Sequence, residues 1–83
     1  MKRDIKAIVT LLATQSMINL GEIVDPLSKS TSLNLPSAKI FIDLVEVLKK
    51  KTAGNLSVEE EKFMKDILGN LKNVYQNKIK QGN

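Results

Sequence analysis

The chain has no cysteine and no histidine among its 83 residues. Without cysteine it can form neither disulfides nor thiolate zinc sites. Without histidine it lacks the commonest metal ligand and the side chain that usually carries protons at neutral pH. A domain of this length buries a thin core and often gains stability from a metal, a disulfide or oligomerisation. Because disulfides are excluded and metals are disfavoured, the composition predicts self-association.

Arginine is almost absent as well, since Arg3 is the only arginine among 13 basic residues. Arginine is the residue that bidentate recognition of phosphate or guanine favours. With 9 acidic residues the net charge is +4, and such a lysine-rich balance is typical of a soluble surface. Nucleic acid is therefore a disfavoured partner, although the lysine clusters keep it as an alternative.

A long apolar run is also missing, and this bears on targeting. Met1-Lys2-Arg3 followed by residues 7–13 has a faint similarity to a signal peptide. Asp4 interrupts the basic region and Thr10 interrupts the apolar run, so we expect no signal. The segment is too short and too polar to span a bilayer. These features predict a cytoplasmic protein with no membrane association.

Apolar residues at helical spacing predict an all-α fold. We expect one helical domain over residues 1–83, with helix 1 at about 3–20, helix 2 at about 35–53 and helix 3 at about 58–80. This is a three-helix domain with a long connection between helices 1 and 2, and the wide apolar arcs described below predict an oligomeric helical bundle.

Helix 1 carries a wide apolar arc. One face follows the i, i+3, i+4, i+7 pattern expected of a packed helix, and Leu11 and Ile18 lie on a neighbouring face. Gly21 is placed to end the helix. The residues of the first face are Ile5, Ile8, Val9 and Leu12.

Helix 2 is apolar around most of its circumference. Asn34 is placed to cap it, and Pro36 suits its first turn because no N–H is needed there. A single polar stripe contains two i, i+4 charge pairs: Lys39 with Asp43, and Glu46 with Lys50. Two other helices of an 83-residue monomer could hardly cover the remaining apolar surface. We therefore predict a homodimer that forms through helices 1 and 2.

Helix 3 begins with a capping box, because Ser57 is followed three residues later by Glu60. Residues 59–61 are acidic and lie at the positive end of the helix dipole, and lysines lie at the negative end. Gly69 in the interior has two interpretations, a close helix approach or a tolerated flaw. The apolar stripe consists of Phe63, Met64, Ile67, Leu68, Leu71, Val74, Tyr75 and Ile79.

The connection over residues 21–34 is long for a helical bundle. We expect residues 22–24 and 32–34 to pair as short extended pieces, and residues 28–32 to form an exposed tip. Four apolar residues predict that the segment lies against the helices: Ile23, Val24, Leu27 and Leu33.

The sequence contains no motif that indicates a catalytic residue, a cofactor-binding residue or a metal ligand. We therefore predict a protein that is not an enzyme and has no cofactor. Glu59–Glu61 point about 100° apart on a helix and cannot converge on one ion. Asp43 and Glu46 could form an acid–base pair, but each has a lysine four residues away. Lys49–Lys51 could contact phosphates, although a helix-end role explains them too. Loops often carry function, so Glu22, Asp25 and Asn34 remain a possible ligand or partner site.

A set of short motifs is spread over nearly the whole chain, from helix 1 to Tyr75: Leu20-Gly21-Glu22, Asp25-Pro26, Asn34-Leu35-Pro36, Ala38-Lys39, Ile42-Asp43, Lys51-Thr52, Gly54-Asn55-Leu56 and Glu59-Glu60-Glu61. Together these motifs resemble the bacterial domain of unknown function 1844 family. The resemblance weakens at Lys72-Asn73-Val74, where a more arginine-rich segment is expected. It implies a small all-helical bacterial protein and brings no activity with it.

Two functions are compatible with these features. The first is a non-enzymatic interaction or assembly module that pairs with a second copy, and an unidentified protein is a further possible partner. The alternative is a small nucleic-acid-associated protein that uses its lysine clusters. Salt distinguishes the two, because phosphate binding weakens steeply with salt and apolar association does not.

Overall fold

The computed structural model describes residues 5–81, which form three α-helices and no strand. The helices are α1 (Ile5–Asn19), α2 (Leu35–Lys51) and α3 (Val58–Gln81). The all-α, three-helix fold class is confirmed. The predicted start of helix 1, at about residue 3, lies outside the described residues. None of the three helices combines the length and the apolar character that crossing a lipid bilayer requires.

The predicted helix caps at the starts of α2 and α3 are confirmed. The Asn34 side-chain oxygen accepts a hydrogen bond from the Ser37 N–H at 3.1 Å. The Ser57 hydroxyl accepts from the Glu60 N–H at 3.1 Å, and the Glu60 carboxylate accepts from the Ser57 N–H at 2.8 Å. These bonds satisfy N–H groups that have no partner within the helix, so local sequence sets where both helices begin.

Glycine residues follow the ends of α1 and α2, as predicted. Gly21 has φ +77° and Gly54 has φ +84°, a left-handed conformation that side chains with a Cβ disfavour. After α1, the Gly21 N–H donates to the Ile18 carbonyl and the Glu22 N–H donates to the Met17 carbonyl. This is the Schellman arrangement, and it turns the chain away from the axis of α1.

The start of α2 lies beside the end of α1. The Asn34 N–H donates to the Asn19 carbonyl at 2.7 Å, and Leu20 and Leu33 form an isolated antiparallel bridge. Because the two helices also pack along their length, they form an antiparallel pair. This geometry positions residues of α1 and α2 at matching levels along the pair.

The core lies where α3 packs across both α1 and α2. The protein measures 39 × 28 × 16 Å, and the short dimension accommodates two helix layers about 8–10 Å apart. Since α3 lies against one side of the α1–α2 pair, the opposite side has no cover within residues 5–81. The buried apolar residues are Val9, Leu20, Ala38, Ile42, Val45, Met64, Leu68 and Leu71.

The predicted packing of the α1–α2 connection is wrong for Val24 and Leu27, which are exposed. Ile23 and Leu33 are also partly exposed, but they line grooves beside the helices. The turn is closed by its own hydrogen bonds: the Asp25 N–H donates to the Ser30 carbonyl, and the Asp25 carboxylate accepts from the Leu27 N–H at 2.9 Å. These bonds hold the turn together without help from the helices, and Leu27 projects into solvent. The exposed residues are Ile23, Val24, Leu27 and Leu33.

The predicted pairing of residues 22–24 with 32–34 is also wrong. The bridge forms between Leu20 and Leu33 instead. The reason is the Schellman turn, which directs the Glu22 N–H back to Met17 and so removes the segment after Gly21 from any ladder. The expectation that residues 28–32 are exposed is confirmed.

Gly69 lies on the exposed side of α3, and a Cβ there would meet no atom within 4 Å. Of the two interpretations from the sequence, close helix approach within the chain is therefore wrong, and a tolerated flaw stays a prediction. We expect Gly69→Ala to raise the free energy of unfolding by about 1 kcal/mol, the difference in helix propensity. Urea unfolding at a fixed protein concentration measures it.

Gly54→Ala is the matched control for this prediction. A Cβ at Gly54 would also meet no atom within 4 Å, but φ is +84° there, so the same substitution should destabilise the protein. An unchanged or lower urea midpoint for Gly69→Ala would contradict the prediction.

Candidate functional site

The side of the α1–α2 pair that α3 leaves uncovered carries large exposed apolar side chains. Ile8 and Leu11 of α1 are 50% and 62% exposed, and Ile40, Leu44 and Val47 of α2 are 59%, 44% and 50% exposed. Together with the half-buried residues beside them, they form what we call the α1–α2 face. Its members are Ile8, Leu11, Gln15, Ile18, Ser37, Ile40, Leu44 and Val47.

Helix geometry explains why α2 presents these residues outward. Successive residues are about 100° apart around a helix axis. The buried residues of α2 are Ala38, Ile42 and Val45, and Ile40 and Val47 lie about half a turn from them. Those two side chains therefore point away from the core.

On α1, the two flanks of the buried Val9 differ. Ala13 and Met17 line a groove of about 250 Å³ together with Phe63 of α3, so this flank is turned toward α3. Leu11 lies on the other flank, away from that groove, and Ile8 lies on the same side of Val9 as Leu11. The prediction that Ile8 shares the buried face of Val9 is wrong, because residues at adjacent positions point about 100° apart.

The spacing of the face is the same on both helices. On α1 its members follow at intervals of three, four and three residues from Ile8 to Ile18, and on α2 at the same intervals from Ser37 to Val47. This is the a/d spacing with which helices interdigitate along a seam. None of the eight members carries a charge. The face thus has the pattern of a helix-packing surface without the partner helices.

Charged residues border the face along the outer edge of α2 and pair within the molecule. Lys39 and Asp43 form the predicted ion pair at 3.0 Å. The hydrogen bond to Asp43, followed by the charge of that carboxylate, raises the pKa of Lys39. The predicted pairing of Glu46 with Lys50 is wrong, since Glu46 pairs at 3.1 Å with Lys72 of α3.

A polar cleft of about 440 Å³ lies between α2 and α3, beside these ion pairs. Its walls include Tyr75 and the two pairs just described. Asp43 and Glu46 each bond a different lysine, Lys39 and Lys72. The charged side chains that line the cleft are therefore paired with one another.

The lysine clusters are partly committed to structural roles. Lys78 forms an ion pair with Glu22 at 3.0 Å, and Lys72 is held by Glu46. Lys49–Lys51 occupy the last turn of α2, where they complement the negative end of the helix dipole. Of the three lysines in the C-terminal part of α3, Lys72, Lys78 and Lys80, the first two are therefore paired with carboxylates within the molecule.

The acidic and loop residues singled out in the sequence also have structural partners. Glu60 caps α3 and Glu59–Glu61 all lie in its first turn. Asp25 closes the turn, Asn34 caps α2 and Glu22 pairs with Lys78. Among residues 5–81, no three carboxylates converge in a way that would hold a metal ion.

Sequence reasoning missed Gln15 and Ser37 as members of the face. Both are half-buried, and neither side chain makes a hydrogen bond to another group in residues 5–81. The three–four spacing that joins them to the apolar members was the signal that could have found them.

Fold and site together define a small all-α domain of three helices with one uncharged, largely apolar face. The chain matches the family model described as Domain of unknown function (DUF1844) over residues 2–77 of 83, and it belongs to that family. The resemblance seen in the sequence is confirmed. No match is found among curated proteins or among solved structures.

Proposed function

We propose that this protein is a non-enzymatic self-associating module, in which the α1–α2 face packs against the same face of a second copy. The observation that carries the proposal is the exposure of Ile8, Leu11, Ile40, Leu44 and Val47 on one side of the molecule. Contiguous exposed apolar surface of this kind marks interaction sites in soluble proteins.

The lack of charge on the face is compatible with a second copy as the occupant. Each copy carries a net charge of +4, so two copies repel at long range, but an uncharged contact surface adds no like-charge contact to that repulsion. The face has no charged member, and its neighbours Lys39, Asp43 and Glu46 are in ion pairs within the molecule. An uncharged apolar face is complementary to itself, whereas a face built for an unlike partner often shows unpaired charges.

The spacing of the face suggests the architecture of the assembly. Each copy contributes an antiparallel α1–α2 pair whose face residues are spaced alternately by three and four. Two such pairs would pack face to face as four helices. Each α3 would lie on the outside, because it covers the other side of its own pair. The assembly would thus be an oligomeric helical bundle with a continuous core.

The proposed module carries out no chemistry of its own. The lack of histidine and cysteine in the whole chain and the commitment of Asp43 and Glu46 to lysine partners support this part of the proposal. The bacterial cytoplasm is its proposed location.

Light scattering on a sizing column tests the proposal. We expect a mass of at least twice 9.2 kDa at micromolar protein concentration. Raising the salt concentration should leave that mass unchanged or favour it, because apolar association does not depend on counterion release. A monomer at that concentration, or dissociation by salt, would overturn the proposal.

A further inference from the structure

We propose that Gln15 and Ser37 form a polar layer within the α1–α2 face, and that this layer aligns the two copies with the same ends together. The inference rests on the proposed self-association. It concerns a property that pairing alone does not determine, namely which way the second copy points.

The antiparallel pair places residues of α1 and α2 at matching levels. The Asn34 N–H bonds to the Asn19 carbonyl, so positions equally far from these two residues lie side by side. Gln15 is four residues before Asn19 and Ser37 is three residues after Asn34. With a rise of about 1.5 Å per residue in both helices, Gln15 and Ser37 lie within one residue of the same level.

The next levels of the face are apolar. Leu11 is eight residues before Asn19 and Ile40 is six residues after Asn34, so they lie within about 3 Å of each other along the helix axes and form the second level. Ile8 and Leu44, eleven and ten residues away, lie within about 1.5 Å and form the third. Beyond the polar level, toward the end of α1, the face continues with Ile18. The polar layer is thus enclosed by apolar layers and lies closer to one end of the face than to the other.

Both polar groups are free to bond to a partner. The Gln15 side chain makes no hydrogen bond within residues 5–81, where only its backbone carbonyl accepts from the Asn19 side chain at 3.0 Å. The Ser37 hydroxyl likewise has none, although its backbone N–H bonds to Asn34. An amide and a hydroxyl each donate and accept, so the layer can pair with an identical layer.

Two symmetric arrangements of the copies differ in what the polar layer meets. If the twofold axis runs along the helices, each layer meets its own copy, and the Gln15 amide faces polar groups. If the axis runs across the helices at the middle of the face, the Gln15–Ser37 layer meets the Ile8–Leu44 layer. A buried amide without a partner is costly, so the layer selects the first arrangement.

Moving the crosswise axis to the polar layer does not remove this cost. The two polar layers would then meet, but the third level and Val47 would extend past the end of the partner helices and stay exposed. A single polar position in an apolar seam selects alignment in coiled coils in the same way.

Distances between labels on the two copies test the alignment. Because the chain has no cysteine, Leu27→Cys gives a single spin-labelling site on the exposed turn at one end of the pair. Ala53→Cys gives one near the other end. With the same ends together, pulsed electron paramagnetic resonance should give distances well below the 39 Å length of the protomer at both sites.

Adding Gln15→Leu to each labelled variant should introduce a second, longer population, because the amide no longer disfavours the crosswise arrangement. Thr14→Leu, a neighbouring exposed position outside the face, is the control and should keep one short distance. A single long distance in the parent protein, or a single short distance after Gln15→Leu, would overturn the inference and leave self-association standing. A labelled protein that is monomeric by light scattering would overturn both.

Discussion

Leu44→Glu is expected to convert the proposed assembly into monomers. Leu44 lies in the middle of the α2 seam and is 44% exposed in a single copy, so pairing would bury it. A carboxylate at that position would have to leave water without a partner charge, which costs far more than one apolar contact provides. Symmetry doubles the effect, since both copies carry the change. The mass from light scattering should fall from a multiple of 9.2 kDa to 9.2 kDa.

Leu27→Glu is the matched control for Leu44→Glu. It makes the same substitution at a leucine that is 94% exposed and outside the α1–α2 face, so the mass should not change. Circular dichroism should show the same helical content in both variants, because both positions are accessible to solvent in the single copy. An unchanged mass for Leu44→Glu, or equal dissociation of both variants, would show that the face does not mediate association.

The features that could be predicted from the sequence are those set by neighbours along the chain. The Asn34 cap, the Ser57–Glu60 capping box and the glycine stops at Gly21 and Gly54 each involve groups within a few residues. The stripe of α3 was also predicted, because one helix packed on one surface shows a single clear periodicity. Such interactions do not depend on how the helices are arranged.

The features that were missed depend on that arrangement. Glu46 has Lys50 four residues away, but Lys72 of α3 lies within reach and takes its place. The apolar residues of the connection suggested packing, yet the hydrogen bonds of Asp25 close the turn on itself and leave Leu27 outside. Neither outcome follows from periodicity, because each is decided by which groups the fold brings close.

The candidate site could be predicted from the sequence only in part. The apolar excess on α1 and α2 predicted a partner surface, and Leu11 was assigned to a face separate from the buried one. Which residues belong to that surface could not be predicted, since Ile8 fits the periodicity of the core as well as Val9 does. Only the position of α3, beside Met17 and Ala13 of α1, decides which flank remains open.

Leu71→Ala is expected to cause the largest loss of stability of the changes considered. Leu71 is 1% exposed and lies in the core where α3 packs across α1 and α2. Truncating a buried leucine removes its transfer free energy and leaves a cavity, which typically costs about 2–5 kcal/mol. The free energy of unfolding of a small domain is only about 5–15 kcal/mol, so Leu71→Ala should remove a large part of it. Urea unfolding at a fixed protein concentration measures it.

Leu27→Ala provides the comparison, since the same truncation at a 94% exposed leucine should change the free energy of unfolding by less than about 0.5 kcal/mol. Protein concentration must be held constant, because association stabilises the folded state by mass action.

Under conditions where Leu71→Ala remains folded, its mass should match that of the parent, since Leu71 lies beneath the α1–α2 pair and outside the face. A similar urea midpoint for the two variants would mean that α3 does not pack on α1 and α2 as described. A folded but monomeric Leu71→Ala would instead show that the core and the α1–α2 face are coupled.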